Sequence, residues 1–284
     1  LLFMSILCLV LAYWKRILLL LTFSLIGLSS WWLYRVFEWG EPKEIKSATY
    51  FSIGLFTALL LYSLSFLHKK KFGFMRAYMV YTVLGLLCGT SSLFFLSTRT
   101  GLEFLQYMTR GVQPYGSWEI MLSIVVVLAA FISVLVYSVG EKFISPGRAL
   151  FIGGLALVPV LLIALPEQTL FLSSSGSYES LSLLSSLTGS GIMWLFVFNL
   201  LLFAELVALI LSGYAEQETW RVNLGTFFLF LFIGIKYFDF FSLLDKSVFF
   251  IGAGILLCGM GFFMEKGRKK MVGAIREGMH VSSL

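Results

Sequence analysis

Polar side chains interrupt two long apolar stretches near the C-terminus, and they are the first candidates for chemistry. An ionisable side chain at the centre of a bilayer costs about 2.5–3.5 kcal/mol on insertion scales, so it normally faces protein or water. The two stretches follow one another and would run antiparallel, which places Asn199 and Lys236 at the same depth. The candidates are Asn199 and Glu205 in the stretch 192–213, then Asn223, Lys236 and Asp239 in the stretch 222–243.

Two interpretations of these residues remain open. In the structural one, Lys236 extends to the outer headgroups with Asp239, three residues later on the same helix face, as its counter-ion. Glu205 is then a protonated carboxyl group that hydrogen-bonds a neighbour. In the functional one, Asn199, Glu205, Asn223 and Lys236 line a polar path or pocket, in which Glu205 relays a proton and Lys236 donates to Asn199.

Signatures of metal or nucleophilic catalysis are missing from the sequence. Its two histidines are His68, in a basic spacer, and His280, in the tail, and no zinc-protease, phosphate-loop or C-x-x-C pattern occurs. Cys8, Cys88 and Cys258 lie singly in apolar runs, which is typical of packing residues. We therefore expect no catalytic residue, no metal and no cofactor.

Small residues at helical spacing predict close helix packing. Gly85 and Gly89 form a G-x-x-x-G pattern, which lets two helix backbones touch. Gly254, Cys258 and Gly261 form a second small stripe in the last apolar stretch. We interpret both as packing faces within the molecule, with a dimer seam or a hinge as the alternative.

The composition requires a bilayer around these elements. Of the 284 residues, 59% are apolar and 13% are charged, and the mean hydropathy is +0.93. Soluble domains carry about 45–50% apolar and 25% charged residues. The apolar runs do not alternate as barrel strands do, so we predict an all-α, polytopic transmembrane helix bundle in one domain, residues 1–265, with nine spans. The spans are 1–14 (clipped), 17–36, 48–67, 77–97, 118–139, 149–165, 192–213, 222–243 and 247–264.

The basic residues orient these spans. Of 21 Lys and Arg residues, 14 fall on the side of the C-terminal tail and seven on the other, which predicts a cytoplasmic C-terminus. The formal charge of +6 is thus spread along one membrane face, which argues against nucleic-acid binding. The tail, 266–284, has four basic residues among its first five and is expected to lie on anionic lipid or to act as a simple stop signal.

Residues 220–270 carry a further pattern. It comprises Asn223 and Gly225, then Lys236 to Asp239, then Asp245, Ser247 and Phe250, then Gly252 and Gly254, and finally Glu265, Lys266 and Arg268. This stretch resembles the C-terminal part of a broad group of bacterial predicted membrane proteins that share a domain of unknown function. The resemblance implies a bacterial inner-membrane protein and supplies no substrate.

Three function classes follow. The first is a non-enzymatic envelope protein, acting as a scaffold, sensor or accessory subunit. The second is a transporter or channel for a small solute or lipid, lined by Glu205 and Lys236. The third is a transferase for lipid-linked substrates that uses the outer acidic spacer of Glu38, Glu41 and Glu44. Expected partners are membrane lipids and either a second copy or another membrane protein. Because the sequence starts at Leu1 without methionine, we also expect further residues before it.

Overall fold

The computed structural model describes most of the chain as α-helix. It covers residues 1–40, 46–70, 76–108, 118–164, 169–171, 187–241 and, near the C-terminus, 254, 255, 258, 259, 261, 262, 265–270 and 273; for 69, 70, 108 and 237–241 it describes the backbone only. The helices with assigned bounds are α1 (Leu2–Lys15), α2 (Leu18–Gly40), α3 (Ser47–Lys70), α4 (Ala77–Leu96), α5 (Arg99–Met108), α6 (Trp118–Gly140), α7 (Pro146–Leu155), α8 (Leu157–Ala164), α9 (Gly189–Ala215) and α10 (Thr219–Phe241). The described residues between 254 and 273, here called the C-terminal segment, are also helical.

Six helical stretches are long and apolar enough to cross a membrane. They are Leu18–Gly40, Ser47–His68, Ala77–Leu96, Trp118–Gly140, Pro146–Ala164 and Gly189–Ala215. The predicted all-α class is therefore confirmed for the described residues, whereas the count of nine spans is not. Among the other three predicted spans, α1 has only 14 residues, α10 is long but is not one of the six, and much of 247–264 lies outside the described residues.

The fifth of these stretches is broken in the middle by proline. Helix α7 ends at Leu155 and α8 begins at Leu157. Proline has no amide hydrogen, and its ring meets the carbonyl four residues earlier, so Pro159 removes the hydrogen bond to Leu155. The amide of Ala156 is instead shared between the carbonyls of Ile152 and Gly153. The two short helices together form one apolar stretch, Pro146–Ala164, that is interrupted at Ala156.

The chain divides into two compact units, and each is described by itself. Unit 1 comprises Leu1–Ser92 and Phe104–Gln168, and unit 2 comprises Leu93–Glu103 and Thr169–Leu284. In unit 1, α3 packs against α6 and α8, and α1 packs against α2. One hydrophobic core of this unit contains Phe56, Phe131 and Ile152, with at most 2% of each exposed.

In unit 2, α9 and α10 form a long antiparallel hairpin. Helix α9 starts from Thr188, whose hydroxyl accepts a hydrogen bond from the amide of Gly191. The hairpin turns through Gln217, which has a left-handed backbone with φ of 57°. This hairpin and the C-terminal segment carry all five of the predicted polar candidates and the second small-residue stripe.

Candidate functional site

The candidate site is built on the α9–α10 hairpin, which is held close by two glycines. A Cβ placed on Gly213 would lie 2.9 Å from the backbone nitrogen of Val222. A Cβ placed on Gly225 would lie 2.7 Å from Cγ1 of Ile210. These two close contacts define the antiparallel register of the helices. Gly213 lies opposite Val222, and Ile210 lies opposite Gly225.

Asn199 and Lys236 lie level with one another in this register, but each bonds elsewhere. The amide nitrogen Nδ2 of Asn199 donates to the carbonyl of Leu195, 2.6 Å away on its own helix. Its buried Oδ1 has no hydrogen-bond partner in the part of the chain that the structure describes. The ammonium of Lys236 donates to the carbonyl of Ser97. The structure therefore does not show the expected Asn199–Lys236 hydrogen bond.

Glu205 lies on the buried face of α9, together with Leu202, Leu206 and Leu209. Only 7% of Glu205 is exposed, so its carboxyl group is enclosed by protein rather than by solvent. Asp239 lies in α10, but its side chain is outside the described residues, and so is the predicted Lys236–Asp239 pair. The structure thus brings Glu205 into a packed interior.

Arg221 is a buried charge that the sequence analysis did not single out. Its guanidinium lies 3.0 Å from Oε2 of Glu216 and 2.7 Å from Oε2 of Glu218, and 1% of its side chain is exposed. The same guanidinium lies 5.5 Å from the ring of Trp220. All four residues belong to the α9–α10 turn or the first turn of α10. A buried arginine that is paired with two carboxylates therefore lies at the turn end of the hairpin.

Asn223 contacts the C-terminal segment. Its Oδ1 accepts a hydrogen bond of 2.8 Å from Nη1 of Arg268. Arg268 also donates to both carboxylate oxygens of Glu265, through Nε at 2.6 Å and Nη2 at 2.7 Å. The hydrogen bonds from Arg268 lower the pKa of the Glu265 carboxyl, and Glu265 in turn raises the pKa of Arg268. Both groups consequently remain charged near neutral pH.

A groove of about 340 Å³ opens beside these contacts. Its polar end is formed by Asn223, Thr226, Glu265 and Arg268, and its apolar walls by Phe227, Phe230 and Gly261. Because Gly261 has no side chain, the groove stays open there: a Cβ at this position would meet no described atom within 4 Å. The groove can hold an amphipathic ligand.

A second buried polar cluster lies in unit 1. The apolar pattern predicts a spacer at His68, but α3 continues to Lys70, so His68 belongs to its last turn and is 6% exposed. Its Nδ1 donates to the carbonyl of Leu64 at 2.9 Å, which leaves Nε2 of a neutral ring to accept from the hydroxyl of Tyr13. Tyr13 then accepts from the hydroxyl of Tyr81 at 3.0 Å. The cluster connects α1, α3 and α4.

The predicted small-residue stripes have different surroundings. A Cβ placed on Gly85 of α4 would lie 2.6 Å from the backbone nitrogen of Tyr62, so this glycine lets α4 approach α3. Gly89 lies one turn further along the same helix and is half-buried. Gly254 and Cys258 are exposed, and Gly261 lines the groove beside Phe227 and Phe230. Because much of 247–264 lies outside the described residues, the packing role of this second stripe stays a prediction.

The outer acidic spacer is described only in part. Glu38 lies at the end of α2, where it accepts a hydrogen bond of 2.5 Å from Arg35 on the surface. Glu41 and Glu44 lie outside the described residues. Within the described part of the chain, no group of three or more His, Cys, Asp or Glu residues is arranged to hold a metal ion.

Comparison with known proteins adds no relative to this geometry. The chain matches no protein-family model, no curated protein and no solved structure. The resemblance of residues 220–270 to bacterial membrane proteins stays a prediction.

Proposed function

We propose that this chain is a non-enzymatic, multi-pass protein of the bacterial inner membrane that acts as an accessory subunit, sensor or scaffold. The proposal includes nine spans and a cytoplasmic C-terminus. Six long apolar helices support the membrane location, and the two-to-one distribution of Lys and Arg supports the orientation.

One observation carries the non-enzymatic role: polar side chains form hydrogen bonds with protein groups on other elements. Tyr13 on α1 bonds His68 on α3, and Arg268 on the C-terminal segment bonds Asn223 on α10. Lys236 donates to a backbone carbonyl 139 residues away in sequence. Such contacts fix helices relative to one another, as expected of a protein whose role depends on its shape and partners.

A transporter is the second candidate, and a specific observation favours it. Helix α9 carries Glu205, a carboxyl group that is 7% exposed, and Asn199, whose buried Oδ1 accepts no hydrogen bond in the described part of the chain. An acid and a vacant acceptor on one spanning helix are the parts from which a proton or solute path is built.

Flux measurements separate the two candidates. The full chain is reconstituted in liposomes, and proton and solute fluxes are recorded across a pH gradient for the wild type, Glu205→Gln and Glu103→Gln. Glu103 is a matched control because its side chain is 51% exposed on α5. The accessory role predicts no flux above that of empty liposomes for any of the three. A pH-dependent flux that is lost in Glu205→Gln and kept in Glu103→Gln would establish the transporter instead.

A further inference from the structure

The groove of unit 2 changes from polar to apolar along its length. On α10 its wall runs from Asn223 to Phe230, about 10 Å at 1.5 Å per residue. On the C-terminal segment the opposite wall runs from Arg268 back to Gly261. Since Arg268 and Asn223 are hydrogen-bonded to each other, the polar residues of both walls meet at one end.

Arg268 keeps unused hydrogen-bond donors at the polar end of the groove. A guanidinium has five N–H groups, and those of Arg268 make three hydrogen bonds, two to Glu265 and one to Asn223. One N–H on each terminal nitrogen is therefore left without a partner in the described part of the chain. Because the three existing bonds hold the guanidinium plane in place, these two donors are pre-oriented, which suits a phosphate group.

The charge around this end is complementary to an anion. Residues 265–270 carry Lys266, Arg268, Lys269 and Lys270 against a single acid, Glu265. The ammonium of Lys269 lies 3.6 Å from Glu265, and 73% of its side chain is exposed. On the apolar wall of the groove, Phe227 is 59% exposed and presents an apolar face. A free phosphate ion would contact only the polar end of the groove and would leave its apolar walls uncovered.

We propose that this groove binds an anionic glycerophospholipid of the cytoplasmic leaflet. Its phosphate accepts hydrogen bonds from Arg268 and contacts Lys269, and an acyl chain lies along Phe227 and Phe230 over Gly261. The assignment to the cytoplasmic leaflet rests on the proposed function, in which the C-terminus is cytoplasmic. The binding of the lipid in the groove does not depend on that orientation. A reporter fused to the C-terminus tests the orientation separately, so the two can fail independently.

Lipid titration of the purified full chain tests the site. Fluorescent phosphatidylglycerol and phosphatidylcholine are titrated into detergent-solubilised protein, and their dissociation constants are compared. We expect phosphatidylglycerol to bind at least fivefold more tightly. Arg268→Gln should weaken phosphatidylglycerol binding about fivefold or more, since one basic residue near a lipid surface contributes about 1 kcal/mol. It should also weaken phosphatidylcholine binding, because both lipids carry the phosphate that Arg268 contacts.

A second variant tests the apolar half without changing charge. Gly261→Leu fills the groove and should weaken both lipids by fivefold or more, whereas Gly259→Leu, which lies off the groove, should change neither. Lys270→Gln is the matched charge control and should alter affinity less than twofold.

Three results would overturn the proposal. If Arg268→Gln and Lys270→Gln lost equal affinity for phosphatidylglycerol, the lipid would be attracted by the basic surface as a whole and not bound by Arg268. Unchanged binding in Gly261→Leu would mean that no acyl chain enters the groove. Displacement of phosphatidylglycerol by millimolar inorganic phosphate would identify an anion site instead.

Discussion

At the scale of single residues, Arg221 shows how a buried charge can be overlooked in a membrane protein. In the sequence it stands at the end of an apolar stretch, where basic residues commonly mark the interface. In the structure its side chain is 1% exposed between Glu216 and Glu218. The tight approach of Gly213 to this turn buries it, because a Cβ there would lie 2.9 Å from Cβ of Arg221. The burial of Arg221 thus depends on how closely α9 and α10 pack at this turn.

Replacing Arg221 should destabilise the hairpin strongly. Arg221→Met leaves two partly buried carboxylates facing each other without their cation, and breaking a buried ion pair by removing one partner costs about 3 kcal/mol or more. Thermal unfolding of the detergent-solubilised chain measures the effect.

The control is Arg99→Met, which removes an arginine paired with Glu103 on the surface of α5, where both side chains are about half exposed. An exposed pair of this kind contributes at most about 1 kcal/mol. If Arg221→Met and Arg99→Met lowered the unfolding temperature by similar amounts, the Arg221 contacts would not stabilise the hairpin.

The remaining polar residues show what sequence can and cannot predict at this scale. Residue type and depth follow from the sequence, because charge inside an apolar stretch must face protein or water. The hydrogen-bond partners of these residues do not follow from the sequence. Lys236 binds the Ser97 carbonyl, and Asn223 binds Arg268, 45 residues away. Such partners depend on which helices pack together, and single-sequence periodicity does not contain that information. His68 is buried rather than in a spacer, because α3 continues past the predicted end of its span.

At the scale of helices, the apolar stretches locate the long elements well. Predicted spans 77–97 and 118–139 correspond to α4 (Ala77–Leu96) and α6 (Trp118–Gly140) within a residue at each end. Helix α5 was not predicted, since it falls in a spacer and buries only a narrow stripe that includes Leu102 and Leu105. Its short length gives too few turns for a clear periodic signal.

Glycine should be essential where α4 meets α3. A Cβ on Gly85 would lie 2.6 Å from the backbone nitrogen of Tyr62 and 2.8 Å from the carbonyl oxygen of Ala58, so Gly85→Ala forces backbone atoms apart. Overpacking of this kind costs about 1–3 kcal/mol. We expect a lower unfolding temperature for Gly85→Ala in detergent.

Gly154→Ala in α7 is the matched control, since a Cβ there would meet nothing within 4 Å. Alanine also favours helix over glycine, so this variant should be neutral or slightly stabilising. If both variants behaved alike, the close approach of α4 to α3 would be refuted.

At the scale of the whole molecule, the decisive feature is how much apolar surface remains uncovered. Helix α6 alone exposes Met121, Leu122, Val125, Val126, Ile132, Val136 and Tyr137. Soluble monomers rarely leave contiguous apolar patches larger than a few hundred Å². Lipid is the environment that removes this surface from water without a protein partner. The class of protein is therefore the most secure result of the sequence, because composition reports it directly.

A charge placed on this surface distinguishes lipid from water. Val126 lies near the middle of α6 and is 52% exposed, next to Val127, which is 7% exposed. On a water-facing helix, Val126→Arg would change stability by about 0.5 kcal/mol or less. In a bilayer, arginine at this depth costs about 2.5–3.5 kcal/mol. We therefore expect the inserted fraction of the chain in membrane vesicles, measured by protease protection, to fall sharply for Val126→Arg.

Two controls isolate the effect of depth. Val126→Leu keeps the position apolar and should insert like the wild type. Glu141→Arg introduces the same side chain at an exposed site just beyond the end of α6, where headgroups and water accept it, and should also insert normally. If Val126→Arg inserted as well as these two variants, the exposed face of α6 would not be in contact with lipid, and another protein surface would have to cover it.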